Sequence, residues 1–292
     1  MIGGSKLFHS SIFWSADTAS RIVDLVHLTS PANENNQIFR KRLKEKFWNG
    51  IVTNWKDVEE YIQEDDCVLI GPGMVRSDPN LRMHPNVPNS DNSDDYSDYS
   101  DRAKQLENLG KEDKTRDIVN YLLKKYPDKK WVIDGGALQE VEPELITESC
   151  ILTPHRKEMA ILMNKFSIFN LQFSINLQLD NLTIENQVKL IAKTLRCTIL
   201  LKGVVDIVCS GEKCTKIPGG NPGMTKGGTG DVLAGLAAAL YAKNDSWTAA
   251  TMASYINKKA GDNLYKRVGP YFNAEDLVKE VPLTIYGIMI AN

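Results

Sequence analysis

Short apolar runs alternate with helix-patterned stretches along most of the 292 residues, and that alternation leaves few folds open. The runs 25–29, 67–70, 131–133, 150–152 and 198–201 read as strands. Two more, 206–209 and 213–217, flank Ser210-Gly211-Glu212 and read as a hairpin. Helical patterns cover 14–23, 55–62, 114–126, 156–163, 185–195, 232–241 and 247–268. Strands separated by helices require crossover connections, and hence a mainly parallel sheet. Such strands are apolar on both faces because helices cover both sides. An α/β fold is therefore expected, and no internal repeat is visible. One stretch, from Ser77 to about Lys114, breaks the pattern with Pro79, Pro85, Pro88 and many Asn, Asp and Ser. It carries too little apolar surface to pack and reads as a flexible acidic insertion at 77–113. The strands resume afterwards in the same style, so 1–292 is expected to be one domain rather than two.

Composition narrows the function classes. Hydrophobic residues make up 42% and charged residues 25%, as in an ordinary globular chain. The formal charge is −2, which calls for neither nucleic acid nor an anionic membrane. Five Asp fall within 91–101, so the remainder carries −2 + 5 = +3, a balance suited to anionic ligands. Cys67, Cys150, Cys197, Cys209 and Cys214 are odd in number, irregularly spaced and free of a CxxC pattern. No disulfide framework or zinc site is expected from them, and an intracellular, cytoplasmic location follows. The start MIGGSKLFHSS lacks a basic stretch followed by an apolar one, so a signal peptide is not expected. The most apolar helix candidate, 232–242, is far short of the ~20 residues that span a bilayer.

Chemistry concentrates in NPGMTKGGTGD, residues 221–231, which runs directly into the helix-forming VLAGLAAALYA. Glycines let a backbone turn tightly and approach a ligand. The helix N-terminus adds unpaired N–H groups and a positive dipole, so the two together make a phosphate site. Asp231 falls in the first turn, where a carboxylate beside a phosphate chain accepts a proton from a hydroxyl nucleophile. An ordinary glycine turn with Asp231 as a cap would leave four glycines in eight residues unexplained. The loop is neither a Walker A sequence nor GxGxxG.

A second signal is LTPHRKE, residues 152–158, where a strand stops and a helix starts near His155. His155 and Glu158 then share one helical face at the carboxyl edge of the sheet, where open α/β folds bind ligands. By itself HxxE is weak, and without context a capping Glu158 and a surface His155 would explain it better. Three further strand ends carry glycine or charge: Gly71-Pro72-Gly73, Asp134-Gly135-Gly136 and Lys202-Gly203. Together with the glycine loop they make a site.

The motifs IGGS (2–5), GPGM (71–74), VIDGGAL (132–138), LTPHRKE, LLKG (200–203) and NPGMTKGGTGDVLAG (221–235) resemble, in order, those of the NAD(P)H-hydrate dehydratases of the ribokinase-like superfamily. The resemblance implies a three-layer α/β sandwich. It also implies a metabolite-repair lyase that restores NADH or NADPH from the (6S) hydrate at the expense of ADP or ATP with Mg²⁺. It assigns Asp231 as the catalytic residue. Gly73, His155, Ser11 and Asp231 would bind the hydrate. Lys202, Gly203, Val204, Val205, Asp206, Gly227, Gly228, Thr229, Gly230 and Asn221 would bind the nucleotide. Glu158 would hold Mg²⁺ through water. A homo-oligomer is implied, as is a separate hydrate epimerase, since this chain leaves no room for that domain.

Three departures from the family stand out. The family's strand before IGGS is longer, which implies an upstream start or a reduced sheet edge. Ser10, Ser11 and Ile12 stand where Gly-Ala-Pro is common, and their side chains would re-tune the substrate pocket. The loop after Gly73 carries the acidic insertion. Two other functions remain open. A kinase acting on a hydroxymethylpyrimidine, a thiazole alcohol or a sugar would use the same loop and stop at the phosphorylated product; His155 within TPHxxE favours the dehydratase, since the sugar kinases usually have Asn in its place. A catalytically silent nucleotide-binding regulator is disfavoured by the intact Gly227–Asp231 loop.

Overall fold

The computed structural model describes residues 1–46, 50–76, 115–169, 182–211 and 213–291. The expected acidic insertion at 77–113 lies outside the described residues. Helices are α1 His9–Ala19, α2 Asn33–Lys46, α3 Val58–Glu64, α4 Thr115–Lys125, α5 Gly135–Glu140, α6 Arg156–Phe169, α7 Ile184–Leu195, α8 Thr229–Lys243, α9 Ser246–Val268 and α10 Ala274–Ile290. Strands are β1 His27–Leu28, β2 Ile51–Val52, β3 Cys67–Ile70, β4 Lys130–Ile133, β5 Cys150–Leu152, β6 Thr198–Leu201, β7 Asp206–Ser210 and β8 Lys213–Ile217.

The main sheet runs β3-β4-β5-β6-β7-β8. β3 to β6 are parallel, and β7 and β8 are added antiparallel as the expected hairpin. Residues of the parallel strands alternate between two buried layers, which is why those strands read as apolar runs. Leu69, Val132, Ile151, Leu200 and Val208 pack with α1, α8, α9 and α10. Val68, Ile70, Ile133, Leu152 and Ile199 pack with α3 to α7 on the other side. The result is the expected three-layer α/β sandwich.

The segment at Ile2 is not a reduced edge. Ile2 bridges to Thr29 on one side and to Ile70 on the other. It donates to Leu69 O at 2.8 Å and accepts from Gly71 N at 3.0 Å. The parallel pair β1–β2 thereby joins the main sheet through this short splint.

The cysteine expectation needs correction. Cys209 and Cys214 form a disulfide, and they stand directly opposite each other in the β7–β8 ladder. An odd total says nothing about two cysteines that one hairpin register brings face to face. Cys67, Cys150 and Cys197 are free. The cysteine-based argument for a reducing compartment therefore falls. Among the described residues, no helix is long and apolar enough to cross a membrane.

Candidate functional site

The site lies at the carboxyl ends of β3 to β6 and is closed on one side by α8. The loop before α8 turns at Gly228, whose φ of 93° suits only glycine, and a Cβ there would lie 2.7 Å from Ala274 Cβ. The Thr229 hydroxyl reaches back to Met224 O at 2.6 Å and Lys226 O at 2.9 Å, bracing the turn. Lys226 points away from the helix end, towards Phe272 O at 2.6 Å. Gly227 has open space where a side chain would be, and the sole neighbour of Gly230 there is Lys202 Nζ. The helix end is thus bare backbone facing a lysine, an arrangement that can hold a phosphate chain.

Asp231 is in the first turn of α8, as expected. Burial, ahead of repulsion from Asp134, pushes its carboxyl up to about 7; a hydrogen bond from Ser11 and the Lys202 charge act in the opposite direction. A carboxylate that titrates near neutrality is suited to accept a proton. Ser15 Oγ on α1 donates to Asp231 O at 2.8 Å and fixes the same turn. Gly73 has φ +70°, and a Cβ there would approach Ser11 Cβ to 3.0 Å. Gly73, Ser11 and Asp231 therefore meet, with Ser11 on α1 rather than ahead of the helix expected at 14–23. α1 begins at His9 and carries Ser11 in its first turn.

The opposite wall is the start of α6. Glu158 is 3% exposed; its Oε2 accepts from His155 N at 3.0 Å, and its own N–H donates to His155 Nδ1 at 3.2 Å. This is a capping box with His in the cap position. The capping account of HxxE is therefore correct, and Glu158 Oε1, buried but not taken up by the cap, lies 3.5 Å from His155 Nε2 and 3.8 Å from Arg76. Among the described residues no group of three His, Cys, Asp or Glu gathers to hold a metal. One carboxylate oxygen left over from the cap, at a strand end beside a phosphate site, suits a hydrated Mg²⁺, which commonly keeps most of its waters.

Lys202 links the walls. Its amide donates to Pro154 O at 2.7 Å, and its ammonium pairs with Asp134 Oδ1 at 2.7 Å. Burial disfavours the ammonium, but Asp134, Glu158 and Asp231 outweigh it and raise its pKa. Asp134 also accepts from Thr153 Oγ1 at 2.7 Å. The sequence placed Asp134 among the strand ends that make the site but gave it no role; its ion pair with Lys202, two strands away in the sheet, supplies one.

Other expected nucleotide contacts turn inward. Asp206 is 4% exposed, and its carboxylate accepts from Gly203 N and from Ser254 Oγ. The Asn221 amide accepts from Gly223 N and donates to Asp262. Val204 and Val205 are exposed on the loop between β6 and β7. A separate cavity of about 290 Å³ opens at the other end of the sheet, beside His27, Cys67 and Lys243, and shares none of the expected site residues.

The fold is that of the ribokinase-like proteins. A ribokinase-like protein of Enterococcus faecalis superposes with a TM-score of 0.69 at 20% identity, covering 98% of this chain and 85% of that one. The ADP/ATP-dependent NAD(P)H-hydrate dehydratase of Bacillus subtilis, co-crystallised with ATP and Mg²⁺, gives 0.61 at 17% identity over 98% and 87%. Residues 107–283 match the family model described as NAD(P)H-hydrate dehydratase, and the chain belongs to that family. It is 29% identical over 287 residues to the bifunctional NAD(P)H-hydrate repair enzyme of Methanocaldococcus jannaschii, across 97% of this chain and 46% of that protein. The ADP-dependent (S)-NAD(P)H-hydrate dehydratase of Nitrosopumilus maritimus is 27% identical over 96% of this chain and 85% of its own length. The chain spans about half the length of the bifunctional relative.

Proposed function

We propose that this protein dehydrates the (6S) hydrate of NADH or NADPH, using ADP or ATP with Mg²⁺. The observation that carries the reading is Asp231, held at about pKa 7 in the first turn of α8 between Lys202 and Ser11. The terminal phosphoryl group passes to the hydrate hydroxyl oxygen while Asp231 takes the hydroxyl proton and the shortened nucleotide leaves. The carbon–oxygen bond of the ester then breaks. Inorganic phosphate departs as a proton is lost from the adjacent ring carbon, which restores the double bond. The N–H groups of Gly227, Gly228 and Gly230 and the Lys202 ammonium are placed to stabilise the transferring charge. Gly73, Ser11 and His155 line the side on which the hydrate would lie. Glu158 Oε1 would hold Mg²⁺ through water, and the ion would neutralise phosphate charge. Val204, Val205 and the main chain of Lys202, Gly203 and Asp206 would border the nucleotide, with Asn221 and Thr229 shaping its phosphate loop.

We read 1–292 as one domain, on the continuity of its sheet. A homo-oligomer and a separate hydrate epimerase as functional partner rest on the family resemblance.

The test is to incubate the protein with NADH hydrate, Mg²⁺ and either nucleotide and to follow absorbance of the dihydronicotinamide. Recovery with ADP or ATP is expected. No recovery, with stoichiometric phosphorylation of a small alcohol instead, would make the protein a kinase.

A further inference from the structure

Three side chains of α9, Ser254, Lys258 and Asp262, follow one another at four-residue spacing and so form a single row along the helix. Each engages a loop of the site from beneath. Lys258 is 6% exposed, and its ammonium donates to Gly203 O at 3.1 Å, Val204 O at 3.0 Å and Gly219 O at 2.9 Å. It also lies 3.3 Å from Asp206 Oδ1. Ser254 donates to the other oxygen of Asp206 at 2.7 Å. Asp262 accepts from Gly220 N at 3.1 Å and from Asn221 Nδ2 at 3.0 Å.

We infer that Lys258 is a positioning residue for nucleotide binding, acting through the loops 203–206 and 219–221. This rests on the nucleotide-dependent reading above. A trans peptide points its N–H opposite to its carbonyl. Drawing the carbonyls of Gly203 and Val204 down onto one ammonium therefore turns the N–H groups of Val204 and Val205 up, towards the cleft. The Gly219–Gly220 peptide is held at both ends, its carbonyl by Lys258 and its N–H by Asp262. One buried cation thus sets the loop after β6 and the approach to the phosphate loop in register. Lys258 touches no ligand itself; all its donors are engaged by protein.

The experiment measures ADP and ATP binding with Mg²⁺ by calorimetry, turnover kinetics, and thermal melting, for the wild type, Lys258→Met and Ser254→Ala. Val278→Ala, on the buried face of α10 and in neither loop, serves as a control that lowers melting. Lys258→Met is expected to weaken nucleotide binding and raise the nucleotide KM at least tenfold, with kcat at saturation within about threefold. Ser254→Ala, which removes a single hydroxyl and keeps the fold even if Lys258→Met does not, should weaken binding about threefold. Val278→Ala should bind as the wild type does despite its lower melting temperature. Unchanged nucleotide affinity in both loop variants overturns the inference while leaving the function intact. So does a fall in kcat with KM unchanged, or a loss of affinity in Val278→Ala equal to that of the loop variants. A wild type that binds neither nucleotide overturns both the inference and the function it rests on.

Discussion

Lys202 Nζ stands 2.7 Å from Asp134 Oδ1, and this ion pair ties the ends of β4 and β6 together beside the first turn of α8. The Asp134 side chain is only 4% exposed. Removing its partner strands a carboxylate where water scarcely reaches. Lys202→Met is expected to lower stability by about 3 kcal/mol. Adding Asp134→Asn should restore most of that, because an amide oxygen still accepts from Thr153 without carrying charge. Nucleotide affinity should stay low in both variants. Denaturant unfolding and calorimetry on the single and double variants check the two halves separately.

Asp231 must be ionised to take a proton. The kcat/KM profile is therefore expected to rise with pH along a limb near 7, the value to which burial and Asp134 push this carboxyl. Ser11→Ala removes a hydrogen bond that favours the charged form, so its limb should move to higher pH. Asp231→Asn should cost about 10²–10⁴-fold in turnover, the usual range for a general base, with far less effect on nucleotide binding. A wild-type rate in Asp231→Asn, or a limb in Ser11→Ala that moves down, would rule out this role.

The same shift affects stability. The folded protein holds the Asp231 proton more tightly than the unfolded chain, whose carboxyl keeps its ordinary value of 3.8. Stability is therefore lost as pH climbs from about 4 to about 7, and the loss is complete above that range. Asp231→Asn should match the parent near pH 4 and exceed it at pH 8 by on the order of 2 kcal/mol, after allowance for partial exposure. Melting curves at the two pH values should show a gain of several degrees only at the higher one.

Glu158 has two duties that a single substitution can separate. Gln at the third position of a capping box still accepts the backbone N–H. Glu158→Gln should melt within about 1 kcal/mol of the parent while needing at least tenfold more Mg²⁺ for half-maximal activity. Glu158→Ala should lose both, with about 1 kcal/mol from the cap alone. A Mg²⁺ titration unchanged in Glu158→Gln would remove this residue from the metal's surroundings.

The strand ends and the α8 loop were legible because both depend on local chemistry: apolar runs closed by Gly, Pro or charge, and glycines ahead of an alanine-rich helix. α1 was placed five residues late, since His9, Ser10 and Ser11 are poor helix formers, and the turn is held instead by Ser11 and Ser15 reaching Asp231 on α8. α2, which opens with three Asn in four residues, and α10, with Pro282 in its interior, went unseen because those residues disfavour a helix. The capping box of Asn273 and Asp276 was the available signal for α10. Ser254, Lys258 and Asp262 were not legible at all. A polar row on a helix looks like a solvent face until the fold lays two loops across it. The cross-strand cysteines were hidden by counting rather than by physics.

The capping box of α6 also chooses a tautomer. The Glu158 amide can only donate, so His155 Nδ1 must accept from it, and the proton of the neutral ring is left on Nε2. The cleft therefore meets His155 as a donor, with the Glu158 Oε1 acceptor 3.5 Å away. An incoming hydroxyl would find a partner for its lone pair and another for its proton side by side, arranged by the helix before any ligand arrives.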